Sequence, residues 1–343
     1  MINNLIIAGC NFIGLYAAVK CIDNGYDVTI IEKKSSYNDK RNYYRIFNKN
    51  HVSYINLLNK FSISYNKYSL KYNEKTYNIL FNIINKSKMI PKKSLNMQNF
   101  VKFCRTILTA AEYNVLKNNI EDFESIYNNI SAMFAITFFS NDINKDIEYY
   151  ILTDDKSLLI YKMINYIHEN NGYIIYNTDI KDINYRNYIY ISTKYKTYIS
   201  NVLILTLSKD NLLRFKFLNK EQKKLLNNVT KYNIDSEKIF SDSNLENEKE
   251  IKDHLLNNIH IVCPIKKFNM YLWNVGINDI MIKEKIKQLF NHIYICSDSY
   301  SKNPFFANYA LETYDEINSK LLNKLSSTTK SPFTSISNIK IVK

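Results

Sequence analysis

The amino-acid sequence predicts an α/β protein built from more than one domain, and three observations lead to this prediction. The chain has 343 residues, which is longer than one small module needs. Hydrophobic residues make up 46% and charged residues 23%, so the chain can bury sizeable cores and is not expected to be disordered. Three of only five glycines lie within the first 25 residues, where short apolar runs flank them. Such clustering is typical of the turn that joins a buried strand to a helix.

The first 32 residues follow the order strand, glycine turn, helix, strand and acid. Residues 5–8 and 26–31 are short apolar runs with β-branched side chains, as in buried parallel strands. Between them, residues 15–22 have the apolar spacing of a helix, and the pair Asn24-Gly25 is suited to ending it. This order predicts a βαβ unit of the Rossmann type.

The turn in this unit predicts a dinucleotide site. Gly9 allows a tight turn, and Gly14 allows the helix to pack closely on the strand. Glu32, at the end of the second strand, is placed to accept hydrogen bonds from an adenosine ribose, while the helix N-terminus is suited to a pyrophosphate. Asn11 stands where the fingerprint has its second glycine. The alternative is a βαβ unit that binds nothing.

The rest of the chain alternates between helical stretches and short apolar runs. The predicted elements, in chain order, are helices over 91–150 and 156–170, a strand over 173–176, a hairpin over 188–199, a buried strand over 202–207, helices over 220–229 and 248–258, a strand over 292–296, a helix over 308–324 and a short strand over 339–342. Residues 33–80 are polar and rich in Tyr, and their sequence predicts no helix or strand.

The α/β pattern therefore occurs in three separated pieces. The predicted organisation is a Rossmann-like FAD/NAD(P)-binding domain of residues 1–75, 151–207 and 286–325, a mixed α+β substrate-type domain of residues 76–150 and 208–285, and a tail of residues 326–343. Glu32 and Asp298 each follow a predicted strand. Because ligands of open α/β sheets bind at the carboxyl ends of strands, both acids are expected at one nucleotide site.

The net charge of +14 raises the question of nucleic-acid binding. Lysines are spread along the chain without a dense run, and the 49 Asn and 29 Tyr residues fit the codon bias of an AT-rich genome. Nucleic acid is therefore not the expected partner.

The cysteine and hydropathy patterns indicate in which cellular compartment the protein is expected. The five cysteines are odd in number, form no CxxC pair and share no ligand spacing with the five histidines, so neither a disulfide framework nor a metal site is expected. The start of the chain lacks the basic region of a signal peptide, and no apolar run reaches the length that spans a bilayer. We expect a protein of the reducing cytoplasm.

The order of these segments resembles the flavin-containing amine oxidase family, which includes monoamine and polyamine oxidases and related histone demethylases. The resemblance covers about half of the chain and suggests a divergent, shortened member that binds FAD. It assigns to the cofactor Gly9, Asn11 and Gly14 at the pyrophosphate, Glu32 at the ribose, Ile180 at the adenine through its backbone, Asp298 at the diphosphate–ribityl region and Ala307, whose N–H would meet the pyrimidine end of the flavin.

The resemblance also implies two candidate catalytic residues. In the family, a helix is followed by a strand whose lysine holds a water against flavin N5, and Lys238 is matched to that position. Phe306 matches the aromatic residue that faces the substrate. The alternative for Lys238 is a side chain with its ammonium in solvent.

The chain departs from the family at several glycines. Asn11, Cys296 and Tyr309 each replace a glycine, and the Gly-Gly-Arg motif expected after Glu32 is absent, with Lys40-Arg41 as a loose substitute. The resemblance survives these changes because segment order and hydrophobic pattern do not depend on single glycines.

The resemblance to the amine oxidase family leads to two functional hypotheses. The first is an FAD-dependent oxidoreductase that transfers a hydride from a small amine-like substrate to flavin, which O₂ reoxidises. The second is a catalytically degenerate protein of this fold that acts as a binding or structural component. Phe and Tyr side chains in the flavin's place would favour the second. An NAD(P)-linked reductase fits the first motif but not the Asp298 segment.

Overall fold

The computed structural model describes residues 4–37, 46–69, 73–120, 123–143, 145–236, 265–277, 279–304 and 306–328. Its strands are β1 (Asn4–Ala8), β2 (Asp27–Ile31), β3 (Ile46–Asn48), β4 (Tyr65–Tyr68), β5 (Tyr149–Leu152), β6 (Tyr173–Ile175), β7 (Ile180–Tyr185), β8 (Ile189–Thr193), β9 (Thr197–Ser200), β10 (Val202–Leu205), β11 (Val229–Ser236), β12 (Ile265–Trp273), β13 (Gln288–Phe290) and β14 (Ile293–Ile295). The predicted helix over 248–258 and strand over 339–342 fall outside the described residues.

The helices complete the order of elements. They are α1 (Phe12–Asp23), α2 (Val52–Lys60), α3 (Glu74–Ser87), α4 (Lys92–Asn96), α5 (Phe100–Ile107), α6 (Ala110–Asn119), α7 (Phe123–Tyr127), α8 (Ala132–Asp142), α9 (Lys156–Glu169), α10 (Lys209–Leu212), α11 (Lys220–Leu226), α12 (Asp279–Lys287) and α13 (Ala307–Thr328). No helix in these ranges is both long and apolar enough to cross a membrane.

A six-stranded sheet forms the centre of the α/β part, in the order β13-β14-β10-β1-β2-β6. All neighbours pair in parallel except β13, which joins β14 antiparallel at one edge. Leu5 and Ile7 of β1 face one hydrophobic core, while Ile6 and Ala8 face another. Because both faces of the sheet are covered, the strand is apolar throughout, as the sequence predicts.

The glycine turn between β1 and α1 is tightly constrained. Gly9 has a φ of +109°, a backbone conformation that L side chains rarely adopt. A Cβ atom on Gly14 would lie 2.1 Å from the carbonyl oxygen of Gly9. Glycine is therefore required at both positions for the helix to start this close to the strand, and this places the N-terminus of α1 at the carboxyl end of β1.

A third hydrophobic core lies in the helical part of the chain and involves α3 to α8. Aromatic side chains fill its centre, where the rings of Phe100, Tyr127 and Phe139 lie 5.6 Å from one another by centroid. Helices α4 to α8 agree with the helical pattern predicted over 91–150, whereas α3 precedes this range and β5 begins at its end.

Residues 46–87 also form elements, although the sequence pattern assigns none there. Strands β3 and β4 pair antiparallel with β5, which lies about a hundred positions further along the chain. Strands of three or four residues are too short to show a clear alternation of apolar and polar side chains, and their partner strand is distant in sequence. Helix α2 follows β3 and packs against α13.

Candidate nucleotide site

A cleft of about 750 Å³ opens at the carboxyl ends of β1, β2 and β10. Among the residues that line it are five of the predicted cofactor residues, namely Gly9, Asn11, Glu32, Ile180 and Asp298. They come from four segments that are distant in sequence. The structure thus brings together the glycine turn and the acids at the ends of the predicted strands.

Glu32 is fixed at the edge of this cleft by two main-chain donors. Its Oε2 accepts a 2.6 Å hydrogen bond from the N–H of Cys10, and its Oε1 accepts a 2.8 Å bond from the N–H of Lys34. Hydrogen bonds to a carboxylate are stronger than neutral ones, so the side chain is held in one position. Each carboxylate oxygen has a second lone pair that can accept from a ligand hydroxyl.

Asn11 caps the helix that begins next to it. Its Oδ1 accepts from the N–H of Gly14 at 2.9 Å, and its Nδ2 donates to the carbonyl oxygen of Thr206 at 2.6 Å. The carboxamide therefore satisfies a donor at the helix N-terminus, the end of the helix that attracts phosphates. A diphosphate in this cleft must lie outside the carboxamide.

The cleft has charges of both signs. Its lining includes the cations Lys33, Lys34, Lys181 and Arg214 and the acids Glu32, Asp179 and Asp298. Asp179 is 2.7 Å from Lys181 and 3.6 Å from Lys33. Partial burial alone would raise the pKa of Asp179, but the hydrogen bond from Lys181 and the two ammonium charges outweigh it and lower the pKa. Within the described part of the chain, the guanidinium of Arg214 forms no ion pair.

Cys10 also lines the cleft, with its Sγ 3.9 Å from the hydroxyl of Tyr176. Burial, with a smaller contribution from the charge of Glu32, raises the pKa of this thiol to about 12. The thiol is therefore protonated at neutral pH and is not suited to act as a nucleophile.

A second group of charges lies where β11 and β12 approach the cleft. The hydroxyl of Tyr271, a lining residue, donates to Oδ2 of Asp210 at 3.1 Å, and Nζ of Lys231 lies 3.3 Å from the same oxygen. Lys231 belongs to β11, the strand that follows helix α11. The predicted catalytic Lys238 lies outside the described residues.

Three described residues of the predicted site are absent from the cleft lining, namely Gly14 in the first turn of α1, Phe306 and Ala307. Ala307 is the first residue of α13 and is only 3% exposed. Phe306 packs against the ring of His51, with centroids 4.7 Å apart, and against Phe138 at 6.2 Å. The residues that Phe306 contacts are not part of the cleft lining, and Phe306 is half-buried.

The carboxylate of Asp142 is buried close to Phe306 and accepts several hydrogen bonds. Four side chains donate to it, two from residues 48–51 and two from residues 303–309. The donors are Nε2 of His51 at 3.1 Å, Nδ2 of Asn303 at 3.0 Å, Nδ2 of Asn48 at 3.3 Å and the hydroxyl of Tyr309 at 2.8 Å. We call these five residues the Asp142 cluster. A buried carboxylate with this many donors is well satisfied.

The tautomer of His51 follows from its neighbours. The main-chain N–H of Asn48 lies 3.3 Å from Nδ1, which must therefore accept a hydrogen bond. The ring proton is then on Nε2 and is donated to Asp142. This arrangement fixes both ring nitrogens without any contact to solvent, since His51 is 1% exposed.

Comparison with known proteins identifies the fold. No family sequence model matches the chain, and no curated protein matches it by sequence. A solved structure of wild-type putrescine oxidase bound to putrescine superposes with a TM-score of 0.68 at 11% identity, covering 93% of this chain and 99% of that one. Cyclohexylamine oxidase from Brevibacterium oxydans gives 0.67 at 7% identity, with 94% and 99% covered. The chain thus has the fold of the flavin amine oxidases at low sequence identity, which confirms the predicted fold and resemblance.

Proposed function

We propose that the cleft binds the adenosine diphosphate part of a nucleotide, and that the chain is a nucleotide-binding protein on the amine oxidase fold. The observation that supports this most strongly is the collection of Gly9, Glu32, Ile180 and Asp298 around one cleft of about 750 Å³. Its volume lies within the range of small-molecule sites. Its place at the carboxyl ends of parallel strands is where open α/β sheets bind nucleotides.

Each part of the nucleotide has a partner in this proposal. Glu32 accepts hydrogen bonds from the ribose hydroxyls with its remaining lone pairs, and the backbone at Ile180 meets the adenine. The diphosphate lies beyond the carboxamide of Asn11, with the guanidinium of Arg214 as its cationic partner. We also propose the predicted division into domains, because the six strands of the main sheet come from 4–31, 173–205 and 288–295.

Flavin amine oxidases, which share this fold, bind FAD, and the two ends of FAD would meet different surroundings in this chain. The adenosine end fits the cleft at the carboxyl ends of the parallel strands. We infer that the flavin ring is not accommodated at the start of α13, where Ala307 is buried and Phe306 packs on His51 and Tyr309 of the Asp142 cluster. The residues present in that region favour the binding alternative over oxidation.

Oxidation of a small amine, with flavin as hydride acceptor and O₂ as the final oxidant, is the second candidate function. The observation that favours it is Lys231, which lies on the strand after α11 and contacts Asp210 beside the cleft. In the amine oxidase family, a lysine on the strand that follows this helix holds a water against flavin N5. Lys238 and Phe306 remain the catalytic residues that the sequence proposes for this function.

Two measurements on the purified full-length protein separate these candidates. Calorimetric titration with ADP tests the proposed site, and the visible absorption spectrum tests for flavin. The proposal predicts ADP binding and no flavin absorption bands in the protein as purified, before any FAD is added. Flavin bands that persist through purification, together with amine-dependent bleaching, would establish the second candidate instead.

A further inference from the structure

The start of α13 is covered by the start of another helix. The main-chain N–H of Tyr54, in the first turn of α2, donates to Oδ1 of Asn308 at 3.1 Å, and Nδ2 of Asn308 donates to Oε1 of Glu312 at 2.8 Å. Both hydrogen-bonding ends of the Asn308 amide are thereby occupied by the protein itself. Ala307 lies directly before it and is almost fully buried.

The Asp142 cluster adds a negative charge to this place. Its donors Asn303 and Tyr309 lie four residues before and two residues after Ala307, so they bracket the N-terminus of α13. His51 lies directly before α2. Asp142 is the last residue of α8, and the C-terminal end of a helix disfavours an anion, so its carboxylate depends on its four donors.

Tyr309 occupies volume that a glycine would leave empty. Its ring lies 5.5 Å from the ring of His51 and 6.5 Å from that of Phe306, while its hydroxyl reaches both oxygens of Asp142. Burial, with the charge of Asp142, raises the pKa of this hydroxyl far above its ordinary value, so Tyr309 remains a donor. Aromatic rings and a hydrogen-bonded carboxylate thus pack at the start of α13, where Phe306 and Tyr309 remain partly exposed.

We propose that the Asp142 cluster takes the place of the flavin ring, with its carboxylate as the protein's own anion at the start of α13. The cleft then selects adenine nucleotides by their adenosine diphosphate part and excludes any ring attached beyond it from a buried site. This inference about ligand class rests on the proposed function. The closure of the ring site is a separate claim, which can be tested even if no nucleotide binds.

Titration of the full-length protein with ADP, FAD and riboflavin tests the ligand class. ADP and FAD are expected to bind with dissociation constants within about threefold of each other, because the ring adds no contacts. The visible bands of FAD should stay at their positions in free FAD, and riboflavin should not bind. FAD binding more than about a hundredfold tighter than ADP with shifted bands, or riboflavin binding, would overturn the proposal.

Unfolding measurements test the closure independently of any ligand. Asp142→Asn replaces an acceptor of four donors by an amide with one acceptor oxygen, so it is expected to lower Tm by at least about 5 °C. Asp182→Asn, on the exposed side of β7, is the matched control and should leave Tm unchanged. Tyr309→Phe removes one hydroxyl only and should lower Tm by about 2–4 °C, which decides the question if Asp142→Asn does not fold.

The outcomes separate the two claims. Failure of ADP and FAD to bind, with the expected losses in Tm, would end the proposed function but support the closed ring site. An unchanged Tm in Tyr309→Phe and in a folded Asp142→Asn would show that the cluster is not formed, and would overturn the closure whatever the nucleotide result.

Discussion

The carboxylate of Glu32 accepts a 2.6 Å hydrogen bond from the main-chain N–H of Cys10, and this contact joins the end of β2 to the turn that follows β1. The two ends are adjacent because their strands pair in parallel, with Ala8 opposite Ile31. The contact orients the acid along the edge of the cleft, where a ribose can reach it. The proposed nucleotide site depends on this geometry more than on the overall charge of the chain.

Substitution of Gly14 tests the close approach of α1 to the turn. In Gly14→Ala the new Cβ would meet the carbonyl oxygen of Gly9 at 2.1 Å, and backbone must move to relieve the overlap. We expect a loss of about 2–3 kcal/mol in the free energy of unfolding, measured by urea denaturation. The control is Gly25→Ala, whose Cβ has open space but sits at a φ of +79°, and which should cost about 1 kcal/mol. A smaller loss for Gly14→Ala than for the control would contradict the geometry.

Substitution of Asn11 separates capping from ligand binding. Asn11→Ala removes the cap on Gly14 and should cost about 1 kcal/mol of stability, whereas Asn11→Gly should cost a few tenths. Both variants free the N–H of Gly14, so ADP is expected to bind more tightly, by about threefold, in Asn11→Gly than in the wild type. Weaker binding in Asn11→Gly would mean that the carboxamide contacts the ligand.

Arg214 is expected to bind the diphosphate of the nucleotide. Arg214→Gln should weaken ADP binding by about tenfold at low salt and reduce its salt dependence, because a cation without an ion-pair partner in the described cleft is lost. Arg105→Gln removes the same charge in the helical part of the chain, where Arg105 pairs with Glu124, and serves as the control. Equal effects of both variants on calorimetric titration would show that only net charge matters.

Stability is expected to fall under alkaline conditions. Burial raises the pKa of the Cys10 thiol from about 9 to about 12, and it raises the pKa of Cys21 to about 12 as well. The unfolded chain therefore loses these protons at lower pH than the folded chain, so the stability they contribute is full below pH 9 and is lost as pH rises toward 12. Urea denaturation between pH 8 and 11 should show this decline, less steeply in Cys10→Ala. A rise in stability over this range would contradict the burial of the thiols.

The first unit of the fold could be predicted because its causes are local. The apolar residues of β1, the glycines at 9 and 14 and the acid at 32 lie within one short stretch, and each has a conformational or packing reason. The same reasoning located β10 and β14, whose short apolar runs reflect burial on both faces.

The Asp142 cluster could not be predicted, because its members have no local pattern. His51 and Asp142 are 91 positions apart, one directly before α2 and the other at the end of α8, and the sequence around them shows no pattern that links them. Their contact depends on how α2, α8 and α13 pack. The contact of Lys231 with Asp210 has no local pattern either, because it depends on how β11 packs beside α10.

Calorimetric titration of ADP into the wild-type protein and into Glu32→Gln tests whether the cleft binds the adenosine diphosphate part of a nucleotide. ADP is expected to bind the wild type, and Glu32→Gln is expected to bind it about 10- to 100-fold more weakly, because a charged acceptor of ribose hydroxyls is lost. Glu221→Gln, an exposed change outside the cleft, should bind like the wild type. No binding to the wild type, or equal binding to a folded Glu32→Gln, would contradict the account.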